Sequence, residues 1–290
     1  MSGMHNGALR WENEVLDDCI DDLVNERPIG HLSLNELDKA IGGVRKGTIS
    51  VVCGAPGSGK STLANAVKDD LAAQEIPVLF ISFEMPEKAF VAKSVSSHSD
   101  DRVSISGFAE LKGSADLEAA IEIYRPISRW VCHIDADEDG VDIHHLVEAA
   151  VAETQKPVVV IVDYLQLMPP DVDELSDDER TRVKSVMKSL RRVARKFGSP
   201  VFALSAINRT NYGKQSIDLD AISSSSFVEY GADQVLALSV PGNAKERASN
   251  LEKAVRPINA AVIKNRYGRI ATCPLLFHTE FARFSEPEVK

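Results

Sequence analysis

Long apolar runs are missing from this 290-residue sequence. No stretch approaches the roughly 18 consecutive apolar residues that cross a bilayer as a helix. The N-terminus, MSGMHNGALRWENE, has neither the basic flank nor the apolar segment of a secretory signal. A cytoplasmic protein with no membrane partner is expected. Cysteine is scarce: Cys19, Cys53, Cys132 and Cys273 are far apart and form no CxxC pair and no cluster with histidine, which argues against a disulfide framework or a zinc site. Free cysteine is among the most buried residue types, so all four are expected as reduced core residues. His144 and His145 are adjacent and would point in different directions on a helix, a solvated face rather than a metal site. Positive charge is in deficit, with 33 Lys and Arg against 43 Asp and Glu and a net charge of -10. A surface that attracts nucleic-acid phosphates throughout is therefore excluded, although a local basic channel is not. No internal repeat is visible.

What is present is a chain that is 44% apolar and long enough to bury a substantial core. Residues 10–26 place Trp11, Val15, Leu16, Cys19, Ile20 and Leu23 at intervals of three and four, an amphipathic helix that ends before Pro28. Its apolar stripe needs a surface, either on its own domain or on a neighbouring subunit. From residue 48 onward, β-rich apolar runs alternate with helical patterns, the signature of an α/β fold with a mostly parallel central sheet flanked by crossover helices. Strands are predicted at Thr48 to Cys53, Val78 to Ser82, Val131 to Asp135, Val158 to Asp163 and Pro200 to Ser205, with helices near 61–73, 86–97, 142–154 and 178–197. The strand runs are continuously apolar, as expected where both faces are covered. Later runs near 234–240, 259–265 and 273–278 predict further strands, antiparallel at one edge. The division that results is an N-terminal segment, 1–27, and one domain, 28–290. Two polar segments, 169–179 and 208–226, follow central strands and are candidates for functional loops or plain solvated ones.

Gly54-Ala55-Pro56-Gly57-Ser58-Gly59-Lys60-Ser61 follows the apolar run ISVVC and precedes the helix former STLANAVKDDL, which is the context a phosphate-binding P-loop requires. Its glycines let backbone amides and the helix N-terminus surround phosphates. Lys60 is then expected at the β and γ phosphates of ATP, and Ser61 on Mg²⁺, with Thr62 completing the nucleotide-binding stretch. Asp163 ends the run VVVIVD, the Walker B arrangement for holding Mg²⁺, or else it is a turn-forming Asp. Glu84 lies just past VLFIS, on a strand expected beside the P-loop strand. It is a candidate general base for hydrolysis, or an acid at a helix start.

Five stretches taken together resemble the C-terminal motor domain of DnaB-like replicative helicases, a branch of the RecA-like P-loop ATPases. They are SLNELDKAIGGVRKGTISVVCGAPGSGKST, VLFISFEMP, VVVIVDYLQLM, LRRVARKFGSPVFALSAINR and AAVIKNRYGR. The resemblance implies a RecA-like fold, a hexameric ring with ATP sites between subunits, and single-stranded DNA gripped by loops in the channel. Glu84 matches the catalytic glutamate of the family. Lys264 and Arg266, by themselves ordinary strand-end cations, match its basic pair that reaches the γ-phosphate of the neighbouring subunit. The helix at 10–26 resembles the linker helix that packs on the adjacent subunit. Three departures stand out. The N-terminal helical domain that contacts primase is not in this sequence, so no primase interaction is carried over. Ala206 replaces the usual glutamine after Ser205. Asp171, Asp173, Glu174, Asp177, Asp178 and Glu179 crowd the loop after Asp163, leaving Arg209 and Lys214 as candidate DNA contacts. The expected function is an ATP-hydrolysing helicase motor acting on single-stranded DNA. The alternative is a regulatory or assembly ATPase of RecA or KaiC-like type that switches an oligomer or partner without unwinding.

Overall fold

A computed structural model describes residues 11–136, 141–169, 179–212, 217–222, 228 and 230–288, the side chains of residues 179, 180 and 209 excepted. Its centre is a nine-stranded sheet of order β3-β2-β4-β5-β1-β6-β7-β8-β9. The strands are β1 Ile49–Gly54, β2 Val78–Ser82, β3 Val131–Asp135, β4 Val159–Asp163, β5 Val201–Ala206, β6 Gln234–Ser239, β7 Val255–Asn265, β8 Ala271–His278 and β9 Arg283–Ser285. Strands β1 to β6 pair in parallel, and β7, β8 and β9 extend the sheet antiparallel from β6. The predicted strands thus appear within a few residues, including the antiparallel edge.

Continuous apolar runs are explained by the two layers. In β4, Val160 and Val162 point into the core shared with α6 (Ile143–Thr154) and α7 (Glu179–Phe197), whereas Val159 and Ile161 point to the opposite face. That second core holds α2 (Asn35–Ile41) and α3 (Lys60–Ala73), through Leu63, Val67 and Leu71. Each such buried side chain stabilises the fold by about 1.5–3 kcal/mol. A third, smaller cluster joins α4 (Glu87–Ser97) to α5 (Ala115–Ser128) through Val95, Val103, Ala120 and Tyr124. Four elements were not anticipated: α2, α5, α8 (Ala244–Leu251) and β9. α5 carries Pro126 within its last turn, where a proline leaves one helix carbonyl without its N–H partner.

The N-terminal helix, α1 (Glu12–Asn25), forms where its periodicity placed it, but none of its residues is buried. Trp11 is 68% exposed and Leu23 65%. This corrects one expectation: Cys19 rides on that exposed helix, and Cys132 lies on the edge strand β3, so both thiols face solvent. Cys53 and Cys273 are buried as expected.

Two polar anchors fix the elements that surround the loops. Lys68 on α3 is fully buried, donates to Asn65 Oδ1 at 2.9 Å and Ser94 Oγ at 2.9 Å, and pairs with Asp69 at 3.3 Å. Asp69 also accepts from Ser94 Oγ at 3.0 Å, so α3 and α4 are held together by a closed polar network. Asp233, 1% exposed, accepts from the Ile49 amide at 2.8 Å, from Arg191 at 2.8 Å and from Arg266 at 3.0 Å. It joins the start of β1 to α7 and to the end of β7.

Asp70, next to the first anchor, accepts from the Ser33 amide at 2.8 Å, and burial pushes its carboxyl from 3.8 up to about 6. The folded protein therefore holds this proton more tightly than the unfolded chain. The stabilisation is complete below 3.8 and is lost as pH rises through about 6. Asp70→Asn removes the titration and keeps an acceptor. The melting temperature of the variant relative to wild type should rise between pH 4.5 and pH 7. An offset that does not change with pH would show that Asp70 titrates normally.

Candidate nucleotide site

Ligand chemistry in an open parallel sheet gathers at the carboxyl ends of its strands. Here that edge carries a cleft of about 540 Å³ whose lining includes Gly59, Lys60, Ser61, Glu84 and Asp163. The P-loop is shaped by close approach as much as by flexibility. A Cβ on Gly54 would lie 2.6 Å from Ser58 Oγ and 2.7 Å from the Leu238 carbonyl oxygen. Gly59 has φ of +90°, and a Cβ there would meet Phe284 Cζ at 2.7 Å, so only glycine serves at this position. α3 begins at the next residue, and its first amides face the cleft as an anion-binding terminus.

Lys60 Nζ donates to the carbonyls of its own loop, Gly54 at 3.0 Å and Ala55 at 3.2 Å. Burial pushes its ammonium below the usual lysine range, and Asp163 and Glu84 act against that shift. Asp163, 2% exposed, is displaced upward by burial, offset in part by a hydrogen bond with Ser61. Its Oδ2 is buried with no hydrogen-bond partner among the described residues. A buried carboxylate oxygen left over beside a serine hydroxyl is the donor set that suits a hard cation such as Mg²⁺.

Glu84 arrives from β2, and here one expectation needs correction. β2 does not neighbour β1: β4 and β5 stand between them, because the α3 crossover carries the chain three places along the sheet. Glu84 instead neighbours Asp163, since Ser82 pairs with Asp163 and the Phe83 amide donates to the Asp163 carbonyl at 2.8 Å. The turn after β2 is tied by Ser82 Oγ, which donates to the Met85 carbonyl at 2.7 Å and accepts from its amide at 3.1 Å. Glu84 is thereby held exposed at the rim of the cleft.

Lys264 and Arg266 are not brought to this cleft. Asn265 pairs with Gln234 at the amino end of β6, whereas Gly54 pairs with Leu238 toward the other end. Four residues of strand separate these levels, about 13 Å at the usual rise. Lys264 donates to the Ala232 carbonyl at 2.7 Å, and Arg266, 51% exposed, rests on Asp233. Ala206 lines the cleft without a polar side chain, while the nearby Gln166 amide donates to Ser205 Oγ at 2.9 Å. Lys214, the side chain of Arg209 and the acidic positions from Asp171 to Asp178, with the side chain of Glu179, lie outside the described residues. Among described residues, no group of three or more His, Cys, Asp or Glu could hold a metal ion. No described helix is long and apolar enough to cross a membrane.

Several lining residues were not anticipated: Lys93 of α4, Tyr212, and Arg256, Phe277 and Thr279 from the antiparallel extension. For Lys93 a signal existed. It falls one turn past Phe90 on the helix that follows Glu84, on the side that faces the sheet edge.

Residues 31–286 match the family described as the DnaB-like helicase C terminal domain. The replicative DNA helicase DnaB of Haemophilus influenzae is 25% identical over 259 residues, covering 86% of this chain and 53% of that protein. The corresponding protein of Pasteurella multocida is 27% identical over 257 residues, with the same coverage of 86% and 53%. The chain thus spans about half the length of these relatives. Among solved structures, one described as an ATPase domain superposes with a TM-score of 0.81 at 19% identity, covering 97% of this chain and all of that one. A DnaB-like replicative helicase, solved in a study of its interactions with primase, superposes with a TM-score of 0.78 at 20% identity, covering 97% and 68%. These likenesses establish the RecA-like fold, and the family match over most of the sequence places the chain among the DnaB-like helicase C-terminal domains.

Proposed function

We propose that this chain is the ATP-hydrolysing motor domain of a cytosolic DnaB-like helicase, which assembles as a hexameric ring and acts on single-stranded DNA. The observation that carries the reading is a division of labour across the sheet. Lys60, Ser61, Asp163 and Glu84 meet at one edge, while Lys264 and Arg266 stand at the other, beyond reach of their own cleft. A site split in this way is completed by a second copy whose amino edge faces the cleft of the first.

In that arrangement the amides of the P-loop and of the α3 terminus take up the phosphates, and the Lys60 ammonium moves from the Gly54 and Ala55 carbonyls onto the β and γ oxygens. Ser61 and Asp163 would hold Mg²⁺, which neutralises charge that builds on the phosphates during transfer. Glu84 orients a water toward the γ-phosphate and accepts its proton. Arg266 of the neighbouring copy, with Lys264 beside it, offers planar donors to the charge spread over the transferring group. Residues 1–27 form a separate segment whose acidic, amphipathic α1 docks on the adjacent copy. Its exposed Leu16, Ile20 and Leu23 supply the apolar face for that contact. Arg209 and Lys214 are the proposed DNA contacts. The matched relatives are named as replicative DNA helicases, which gives the regulatory alternative no support.

The test is steady-state ATPase activity with and without single-stranded DNA, with Lys60→Ala as background. Stimulation by several fold is expected, and turnover indifferent to DNA would contradict the helicase reading. Glu84→Gln should lower kcat by about 10²–10⁴-fold with ATP binding kept. Arg266→Ala should cripple hydrolysis while the melting temperature stays close to wild type, because Asp233 keeps Arg191 as its partner. A large loss of stability in Arg266→Ala would mean that the residue serves the fold instead.

A further inference from the structure

The cleft holds a second lysine that the reaction outlined above leaves without a task. Lys93 projects from α4 into the same space as Glu84 and Asp163. Its position is set by rigid neighbours. Phe90, one turn earlier, is fully buried, and Ser94, the next residue, is pinned by Lys68 and Asp69. The ammonium lies 5.2 Å from the centre of the Phe90 ring and 3.7 Å from the Met85 sulfur. A thioether is a weak acceptor and a ring face a diffuse one, so neither neutralises the charge. No carboxylate among the described residues lies within ion-pair distance of it, yet Asp163 and Glu84 are the two acids that act on it most strongly. A half-buried cation is thus held ready beside two acids without being committed to either.

The charges at this edge indicate what it is ready for. Two carboxylates, Glu84 and Asp163, share the cleft with two ammonium groups, Lys60 and Lys93. When Lys60 is drawn onto the phosphates, Glu84 faces a highly anionic substrate, and repulsion would swing its flexible side chain out toward solvent. A cation carried by α4, a different helix from the one that carries Lys60, and lining the same cleft as Glu84, counters that displacement. We propose that Lys93 is a positioning residue for hydrolysis: its ammonium holds Glu84 beside Asp163 after Lys60 has moved to the phosphates. The inference rests on the hydrolytic reading of this cleft and adds to it the group that aims the general base.

Lys93→Met keeps the length and apolar stem and removes the charge, whereas Lys93→Arg keeps the charge. Both are compared with wild type for kcat and KM with Mg-ATP, and for affinity toward a fluorescent non-hydrolysable ATP analogue. Lys93→Met should lose about tenfold or more in kcat, with the analogue Kd within about threefold of wild type, and Lys93→Arg should recover most of the turnover. Three results overturn the inference: unchanged kcat in Lys93→Met, a loss of analogue affinity as large as the loss of kcat, which would make Lys93 a phosphate ligand, or Lys93→Arg as inactive as Lys93→Met. Should Lys93→Met fail to fold by thermal melting, the turnover of folded Lys93→Arg decides: retained activity supports the role of the charge and lost activity overturns it. Absence of turnover in the wild-type protein overturns the hydrolytic reading and this inference together, whereas turnover that survives Lys93→Met overturns the inference alone.

Discussion

Parallel strands covered on both faces leave polar chemistry only their two ends, and in this protein the ends have been given different tasks. Val159 to Val162 spend every side chain on one core or the other, so the first polar side chain of the strand is Asp163 at its carboxyl end. β1 runs from Ile49, tied to Asp233, to Gly54, where the P-loop begins. The carboxyl edge becomes an anion-binding cleft. The amino edge becomes a set of basic groups organised around a single buried carboxylate. Because the sheet between them is a rigid packed layer, neither edge can bend to meet the other within one chain. That separation is the ground for proposing that a second copy completes the nucleotide site.

Burial decides the balance of charge inside the cleft. Asp163 is pushed toward its neutral form by desolvation and Lys60 likewise, and each resists the shift in the other. Lys93 is lowered by burial as well and raised by the same two acids. With Glu84 and Asp163 set against Lys60, Lys93 and Arg256, the lining carries a small excess of positive charge before substrate arrives, which suits an anionic ligand. The polar network of Lys68, Asp69, Asn65 and Ser94 lies directly behind. It holds α3, which carries Lys60, at a fixed distance from α4, which carries Lys93, so that the two ammonium groups keep their places.

Much of this was legible in the sequence, and the exceptions have physical reasons. The P-loop, Asp163 and the strand runs were readable because glycine spacing and continuous apolar runs are dictated locally. Glu84 was identified, but its strand was placed beside β1, since strand order depends on how far the α3 crossover reaches and no local pattern records that. α8 was overlooked although its start carries a capping box, with Asn243 accepting from the Glu246 amide at 3.1 Å and Glu246 accepting from the Asn243 amide at 2.7 Å. α5 was not predicted, and Pro126 inside its last turn, which removes one backbone donor from the helix, weakens its local signature. Cys19 and Cys132 read as core because their surroundings are apolar, but one lies on a helix that buries nothing and the other on an edge strand. Arg256 joins the cleft only through tertiary packing and no local pattern warns of it, whereas Lys93 offered only its spacing from Phe90 on α4.

The claim on which the rest depends is that one chain supplies the cleft and another the basic edge. It is tested by mixing two inactive proteins, Lys60→Ala and Arg266→Ala, under conditions that let subunits exchange, and measuring ATP hydrolysis. In hybrid assemblies the intact P-loop of the Arg266→Ala chain can meet the intact Arg266 of the Lys60→Ala chain. The account predicts that the mixture regains turnover that neither protein shows alone. A mixture that stays inactive while subunits demonstrably exchange would contradict it.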